Sequence, residues 1–306
     1  DIARRVDALA PDAWIINFTN PAAIVTEAVQ RHTRAKIIGL CNVPVAMHHM
    51  IAGMMEEPEE DVRLRFAGLN HMVWVHEVYV RGENRTQQVL EMLCNGAVMT
   101  MNNIKEMPWP APLLRALGAI PCPYHRYFYL SREMLREEQE AARAQGTRAE
   151  QVMKVEEELF ALYRDPALNH KPEQLSFRGG AFYSKVALEL IDAIYNDRGA
   201  ELVVNTANRG AIQGLPDDAV IETNCLVNGA GAHPLTFGAL PASMHALTTQ
   251  IKTYERLTIQ AAVEGDADAG LLALVTNPLV GDAPTASALL DEVLTLNRDY
   301  LPQFNR

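Results

Sequence analysis

The sequence predicts an α/β protein that opens on part of a parallel sheet and continues into an α+β second half. Three observations predict it. Two short apolar runs flank a stretch of helical period, a later segment alternates apolar and polar residues, and the tail keeps helical spacing almost throughout. Trp14 to Phe18 (WIINF) is an apolar run bounded by Pro11 and by Asn20-Pro21, which reads as a buried strand. Pro21 to Gln30 carries apolar residues at helical spacing, with proline in the first turn where it costs no hydrogen bond. Lys36 to Leu40 (KIIGL) is a second buried strand. Strand, helix and strand in this order form a βαβ unit, and ligands of such sheets bind outside the carboxyl ends of the strands.

The remaining elements follow in order. Val45 to Met55 is a methionine-rich helix that offers apolar surface for association. Val62 to Phe66 and Met72 to Val80 are strands, and the alternation VWVHEVYV gives the second one wet face. Thr86 to Asn95 is helical, and Met99 to Pro123, with five prolines, is an irregular loop. Leu130 to Tyr163 is a charged helical region broken near Gly146, Phe182 to Tyr195 is a helix, and Glu201 to Asn205 is a strand. Ser243 to Arg298 is mostly helical. No repeat or low-complexity segment interrupts the chain.

Composition narrows the function. The 306 residues carry 38 acidic against 27 basic side chains, a formal charge of -11. A phosphate backbone needs a basic footprint, so nucleic acid is excluded as a partner. A small anionic ligand needs only one or two arginines and is not excluded. Cys41, Cys94, Cys122 and Cys225 are widely spaced with no CxxC pair, which fits free thiols in a cytoplasmic protein. There is no signal peptide and no apolar run long enough for a membrane span. The chain starts at Asp1 inside a helical stretch, Ile2 to Leu9, as a fragment or a processed chain would.

Chemistry-bearing residues each have a bland alternative. Cys41 follows the KIIGL strand, where a thiol could coordinate a divalent metal, but a free cysteine is ordinarily a small buried hydrophobe. His71, in GLNHMVW, has no short-range spacing to Cys41 that would pair them as ligands. Tyr124, Tyr127 and Tyr129 in PYHRYFY could pack a core, or one could act as a base if a cation lowers its pKa from about 10. Asn20 in FTNP is a natural turn former, and Arg148 by default is a solvated arginine. Gly229-Ala230-Gly231 lacks the strand and helix of a phosphate loop.

Taken together the strings INFTNPAAIVTEAV, IIGLCNVP, GLNHMVW, PYHRYFY, VMKVEEELF, RGGAFYS, VVNTANRGAIQGLPDDAVIE and YERLTIQAA resemble glycoside hydrolase family 4, over essentially the whole chain. Members of that family stand outside the two-carboxylate scheme of glycosidases. The resemblance implies a partial Rossmann-like NAD-binding domain in residues 1–60 and an α+β substrate-binding and oligomerisation domain in 61–306. It implies NAD and Mn2+, or another divalent transition metal, as cofactors. Cys41 and His71 match the metal ligands, Asn20 a sugar contact, Tyr124 the catalytic base with Tyr127 as runner-up, and Arg148 a substrate-binding arginine. Asn42, beside the metal cysteine, resembles the 6-phospho-β-glucosidase branch, where the 6-phospho-α-glucosidase branch has Asp and the branches acting on unphosphorylated α-glycosides have His. Asn42 is thereby a third substrate-binding candidate.

The implied substrate is a phosphorylated disaccharide or another 6-phospho-β-glucoside. The implied reaction oxidises C3 with NAD, removes the C2 proton, expels the C1 substituent, adds water and re-reduces C3. The Gly-rich dinucleotide loop that opens family members is missing from this sequence, so the expected NAD pyrophosphate site is absent and this chain alone should be inactive. Homodimers or homotetramers are expected. The rival readings are an α-specific member of the same family, a malate- or lactate-type dehydrogenase, and an inactive truncated non-enzyme.

Overall fold

A computed structural model describes residues 1–101, 103–178 and 182–305. Among the described residues nine strands run in chain order: β1 (Trp14–Asn17), β2 (Lys36–Gly39), β3 (Val62–Leu69), β4 (Met72–Val80), β5 (Glu83–Asn84), β6 (Ile120–Pro121), β7 (Ala200–Ala207), β8 (Val220–Asn228) and β9 (Gly231–Pro234). The chain forms two compact units. One comprises Asp1–Cys41, Arg65–Val75 and Lys185–Arg306, and the other Asn42–Leu64 and His76–Ser184. The division of the sequence at residue 60 thus differs from the division of the compact units, which interleave.

The first unit holds the expected α/β architecture. β1 and β2 pair in parallel, from Trp14 opposite Lys36 to Asn17 opposite Gly39. The crossover between them is the helix Ala22–His32, which follows a cis Asn20-Pro21 peptide. Next to β2 the sheet turns antiparallel: β7 pairs with β2, β8 with β7, and β3 with β8. β8 and β9 do not stand out in the apolar pattern, and β8 lies at the centre of this unit. Its core is apolar around Ile38, Val204, Ile221 and Trp74 but also encloses charge. Glu27, fully buried on the crossover helix, accepts hydrogen bonds from Val220 N (2.8 Å), Lys252 Nζ (2.8 Å) and Arg256 Nε (2.8 Å). Three donors on one carboxylate, two of them cationic, offset its desolvation. They tie the long helix Ala242–Glu264 to the sheet.

The second unit is mainly helical. The helix Val43–Met55 buries Met47 and Ile51 completely, while Met50, Met54 and Met55 are half-buried. The charged region breaks where the sequence places the break. One helix ends at Gln145, Gly146 adopts φ 87°, and the next helix, Arg148–Leu162, starts behind a capping box in which Thr147 and Glu150 satisfy each other's backbone N–H. The segment expected to be irregular, Met99 to Pro123, contains the helix Ala111–Leu117, started by prolines that a helix tolerates in its first turn. No helix among the described residues is long and apolar enough to cross a membrane.

Candidate active site

In the first unit the candidates sit on turns that buried polar groups hold in place. Asn17, the last residue of β1, is 6% exposed. Its Nδ2 donates to Ala22 O (3.2 Å) and Thr26 Oγ1 (3.3 Å), and its Oδ1 accepts from Thr19 N (3.0 Å). These bonds fix the loop that presents the exposed Asn20 just beyond the carboxyl end of β1. Cys41 lies two residues past β2 and is 2% exposed. His71 occupies the two-residue turn between β3 and β4 with φ 62°, a left-handed conformation that histidine adopts more readily than most side chains. The tight approach behind it requires Gly68 (φ 152°), where any Cβ would collide with the Met72 carbonyl. Burial pushes the His71 imidazole down to about 4. It is neutral at physiological pH, the state a metal ligand needs.

In the second unit Asn42 is buried at the N-terminus of the helix Val43–Met55, and its carbonyl accepts from Ala46 N (2.9 Å). The tyrosine cluster forms a 3-10 turn, Pro123–His125, followed by the short helix Arg126–Tyr129. Its two base candidates have opposite hydrogen bonding. Tyr124 Oη accepts from Asn103 Nδ2 at 2.9 Å. Tyr127 Oη donates to Glu138 Oε1 at 3.3 Å, and burial, followed by the negative charge of Glu138, pushes its phenol up to about 12. A donor aimed at a phenolic oxygen stabilises the anion a base must become, whereas a carboxylate acceptor holds the proton on.

Asn103 is brought to Tyr124 by Arg126. That side chain is 1% exposed, lies over the Trp109 ring at 4.8 Å, and donates to Met107 O (2.9 Å) and Met99 O (3.1 Å). It thereby clamps both ends of the loop that carries Asn103. Arg148 opens its helix after the capping box and donates to Phe177 O at 2.8 Å. The central part of the RGGAFYS string, Gly179 to Ala181, lies outside the described residues.

The donor chemistry of Cys41 and His71 fits a transition metal: a thiol and a neutral imidazole, the soft and borderline ligands such ions take. Among the described residues no group of three or more His, Cys, Asp or Glu is arranged to hold an ion. For NAD, the 306 residues contain no Gly-x-Gly-x-x-Gly string, and no side chain of this chain is assigned to the pyrophosphate. Sequence reasoning missed Asn103, Arg126 and Glu222. Arg126 carried a signal, as a lone cation among aromatics, and so did Glu222, as a carboxylate inside the run VIETNCLV. Asn103, 21 residues from its partner, carried none.

Two family models match the chain: family 4 glycosyl hydrolase over residues 1–57, and the family 4 glycosyl hydrolase C-terminal domain over residues 66–280. A Bacillus subtilis protein named "Probable 6-phospho-beta-glucosidase" is 46% identical over 99% of this chain and 69% of its own length. The 6-phospho-β-glucosidase of Escherichia coli is 39% identical, again over 99% of this chain and 69% of its own. Among solved structures, the 6-phospho-β-glucosidase of Thermotoga maritima with manganese, NAD+ and glucose-6-phosphate superposes with a TM-score of 0.83. Its identity is 35%, covering 98% of this chain and 70% of that one.

Proposed function

Because the chain belongs to family 4 of the glycosyl hydrolases, we propose that its activity is the hydrolysis of 6-phospho-β-glucosides with NAD and a divalent metal, manganese foremost, as cofactors. The observation that carries this reading is continuous similarity across both family regions to relatives named for that activity. Asn42 supports the β-specific branch over the α-specific ones. The same matches leave no ground for a 2-hydroxy-acid dehydrogenase or a non-enzyme. Residues 1–60 then belong to the NAD-binding part and 61–306 to the part that binds substrate and associates. The enzyme is cytoplasmic and works as a homodimer or homotetramer, for which the exposed Leu188, Ile191 and Tyr195 on one helix offer apolar surface.

Bound NAD supplies the hydride chemistry at C3 of the sugar. A metal on Cys41 and His71 supplies a Lewis acid that favours negative charge on the oxidised sugar. Tyr124, as phenolate, takes the C2 proton, and Asn103 holds a hydrogen bond to its oxygen while the charge on that oxygen changes. The C1–O bond would then break, the aglycone leaving with a proton; water would add across C1 and C2, and return of the hydride to C3 would leave NAD unconsumed. Asn20 and Asn42 orient the sugar. Arg148 binds the 6-phosphate, whose oxygens match two parallel guanidinium N–H groups.

The test uses the whole enzyme with a 6-phospho-β-glucoside, with NAD and Mn2+ each supplied or withheld. Hydrolysis should need both, without accumulation of NADH. Tyr124→Phe should abolish most turnover and slow exchange of the C2 proton with solvent deuterium while leaving Mn2+ binding intact. Hydrolysis by enzyme stripped of both cofactors would refute the activity. Unchanged turnover in Tyr124→Phe would refute the base.

A further inference from the structure

A polar row crosses the sheet of the first unit. Successive pairings place Asn17 opposite Gly39, Gly39 opposite Asn205, Asn205 opposite Glu222, and Glu222 opposite Gly68. The glycines in the row leave space for their polar neighbours. A Cβ on Gly39 would stand 2.5 Å from Thr26 Oγ1 and 2.9 Å from Asn205 Cβ. Glu222 has no exposed surface. Its Oε1 accepts from Asn205 Nδ2 (2.8 Å) and from Asn70 Nδ2 (3.2 Å). Among the described residues its Oε2 and the Asn205 Oδ1 have no partner.

A carboxyl in the middle of a buried strand is a poor way to build a core, because an apolar side chain of similar volume would pack without desolvation cost. What Glu222 does instead is hold two segments with one oxygen. Asn70 immediately precedes His71 in the β3–β4 turn, where the backbone is left-handed. Asn205 lies against Gly39, two residues before Cys41.

We propose that Glu222 is a positioning residue for the metal site. Through Asn70 it fixes the turn that presents His71, and through Asn205 it fixes the end of β2 that leads to Cys41. The inference rests on the reading of Cys41 and His71 as ligands. Side chains that orient ligands from behind contribute affinity without touching the ion, and their loss costs roughly 10- to 100-fold in metal binding.

Cobalt(II) is the probe, because a thiolate ligand gives it a near-ultraviolet charge-transfer band that reports coordination by Cys41 without any turnover. The chain is titrated with Co2+ as wild type, Asn70→Ala, Glu222→Leu and Glu222→Gln, following that band and free metal by equilibrium dialysis. Asn70→Ala and Glu222→Leu should weaken binding by about 10- to 100-fold. Glu222→Gln keeps a carbonyl acceptor for both amides and should lie nearer wild type than Asn70→Ala does. If Glu222→Leu does not fold, Asn70→Ala, which leaves the core filled, decides the matter. Wild-type affinity in Asn70→Ala overturns the proposal, as does a Glu222→Gln protein that binds no better than Glu222→Leu. A wild-type chain that gives no thiolate band instead shows that the ligand assignment itself has failed, which separates the two errors.

Discussion

Glu222→Gln should change how the stability of this protein depends on pH. Burial outweighs the hydrogen bonds from Asn205 and Asn70 and lifts the Glu222 carboxyl from its ordinary 4.5 to about 7. The folded state therefore binds this proton more tightly than the unfolded chain. The benefit is fully present below pH about 4.5 and is lost as pH rises through about 7. At about 1.4 kcal/mol per pH unit between the two values, the wild type forfeits about 3 kcal/mol over that window. Glutamine cannot titrate, so the variant should lack this slope. Glu255, also raised by burial, contributes to the pH dependence of both proteins and largely drops out of their difference. The assay is urea unfolding at half-unit intervals from pH 4.5 to 8, followed by the fluorescence of the buried Trp74. The gap between variant and wild type should move in favour of the variant by about 3 kcal/mol from the acid to the alkaline end. Parallel curves would refute the reasoning, since Glu222 would then titrate alike in both states.

Three further outcomes follow from the contacts described. Gly39→Ala should destabilise the protein by about 1–3 kcal/mol through the clash with Thr26 and Asn205, and Thr26→Ala in the same chain should recover part of the loss, as read by thermal unfolding. Asn103→Ala should slow both turnover and C2 deuterium exchange, while Tyr127→Phe leaves the exchange close to wild type; the reverse order would move the base to Tyr127. Thr147→Ala removes the capping box ahead of Arg148 and should cost about 1 kcal/mol locally, seen as faster amide exchange over residues 148–151 and as a rise in KM larger than any fall in kcat.

The parts of the fold legible in the sequence are those where one physical cause dominates. β1, its crossover helix and β2 were readable because both strands are short apolar runs and the helix begins at a proline. The break at Gly146 was readable because glycine and the Thr147/Glu150 pair mark a helix end and a helix start. β8 was not, because Glu222, Thr223 and Asn224 interrupt its apolar run, and their burial is intelligible only through partners on β7 and β3 that are distant in the chain. The same holds for the site. The strings of Cys41, His71 and Tyr124 drew attention, and the resemblance already ranked Tyr124 ahead of Tyr127, whereas the hydrogen bonds that set the two phenols apart, from Asn103 and to Glu138, are tertiary.

The interleaving of the two units has a consequence for synthesis on the ribosome. Asp1–Cys41 are made well before the rest of their unit: β2 acquires its β7 neighbour only when Asn205 appears, and the Lys252 and Arg256 that neutralise Glu27 come later still. At about 5–20 residues per second the nascent β1–β2 pair waits on the order of ten to thirty seconds for that strand. During this time all of Asn42–Leu64 and His76–Ser184 has been made and is free to fold first. Asp1–Cys41 are thus exposed to chaperones and proteases until their late partners arrive, and substitutions there should reduce yield in the cell more than they reduce the stability of the finished protein.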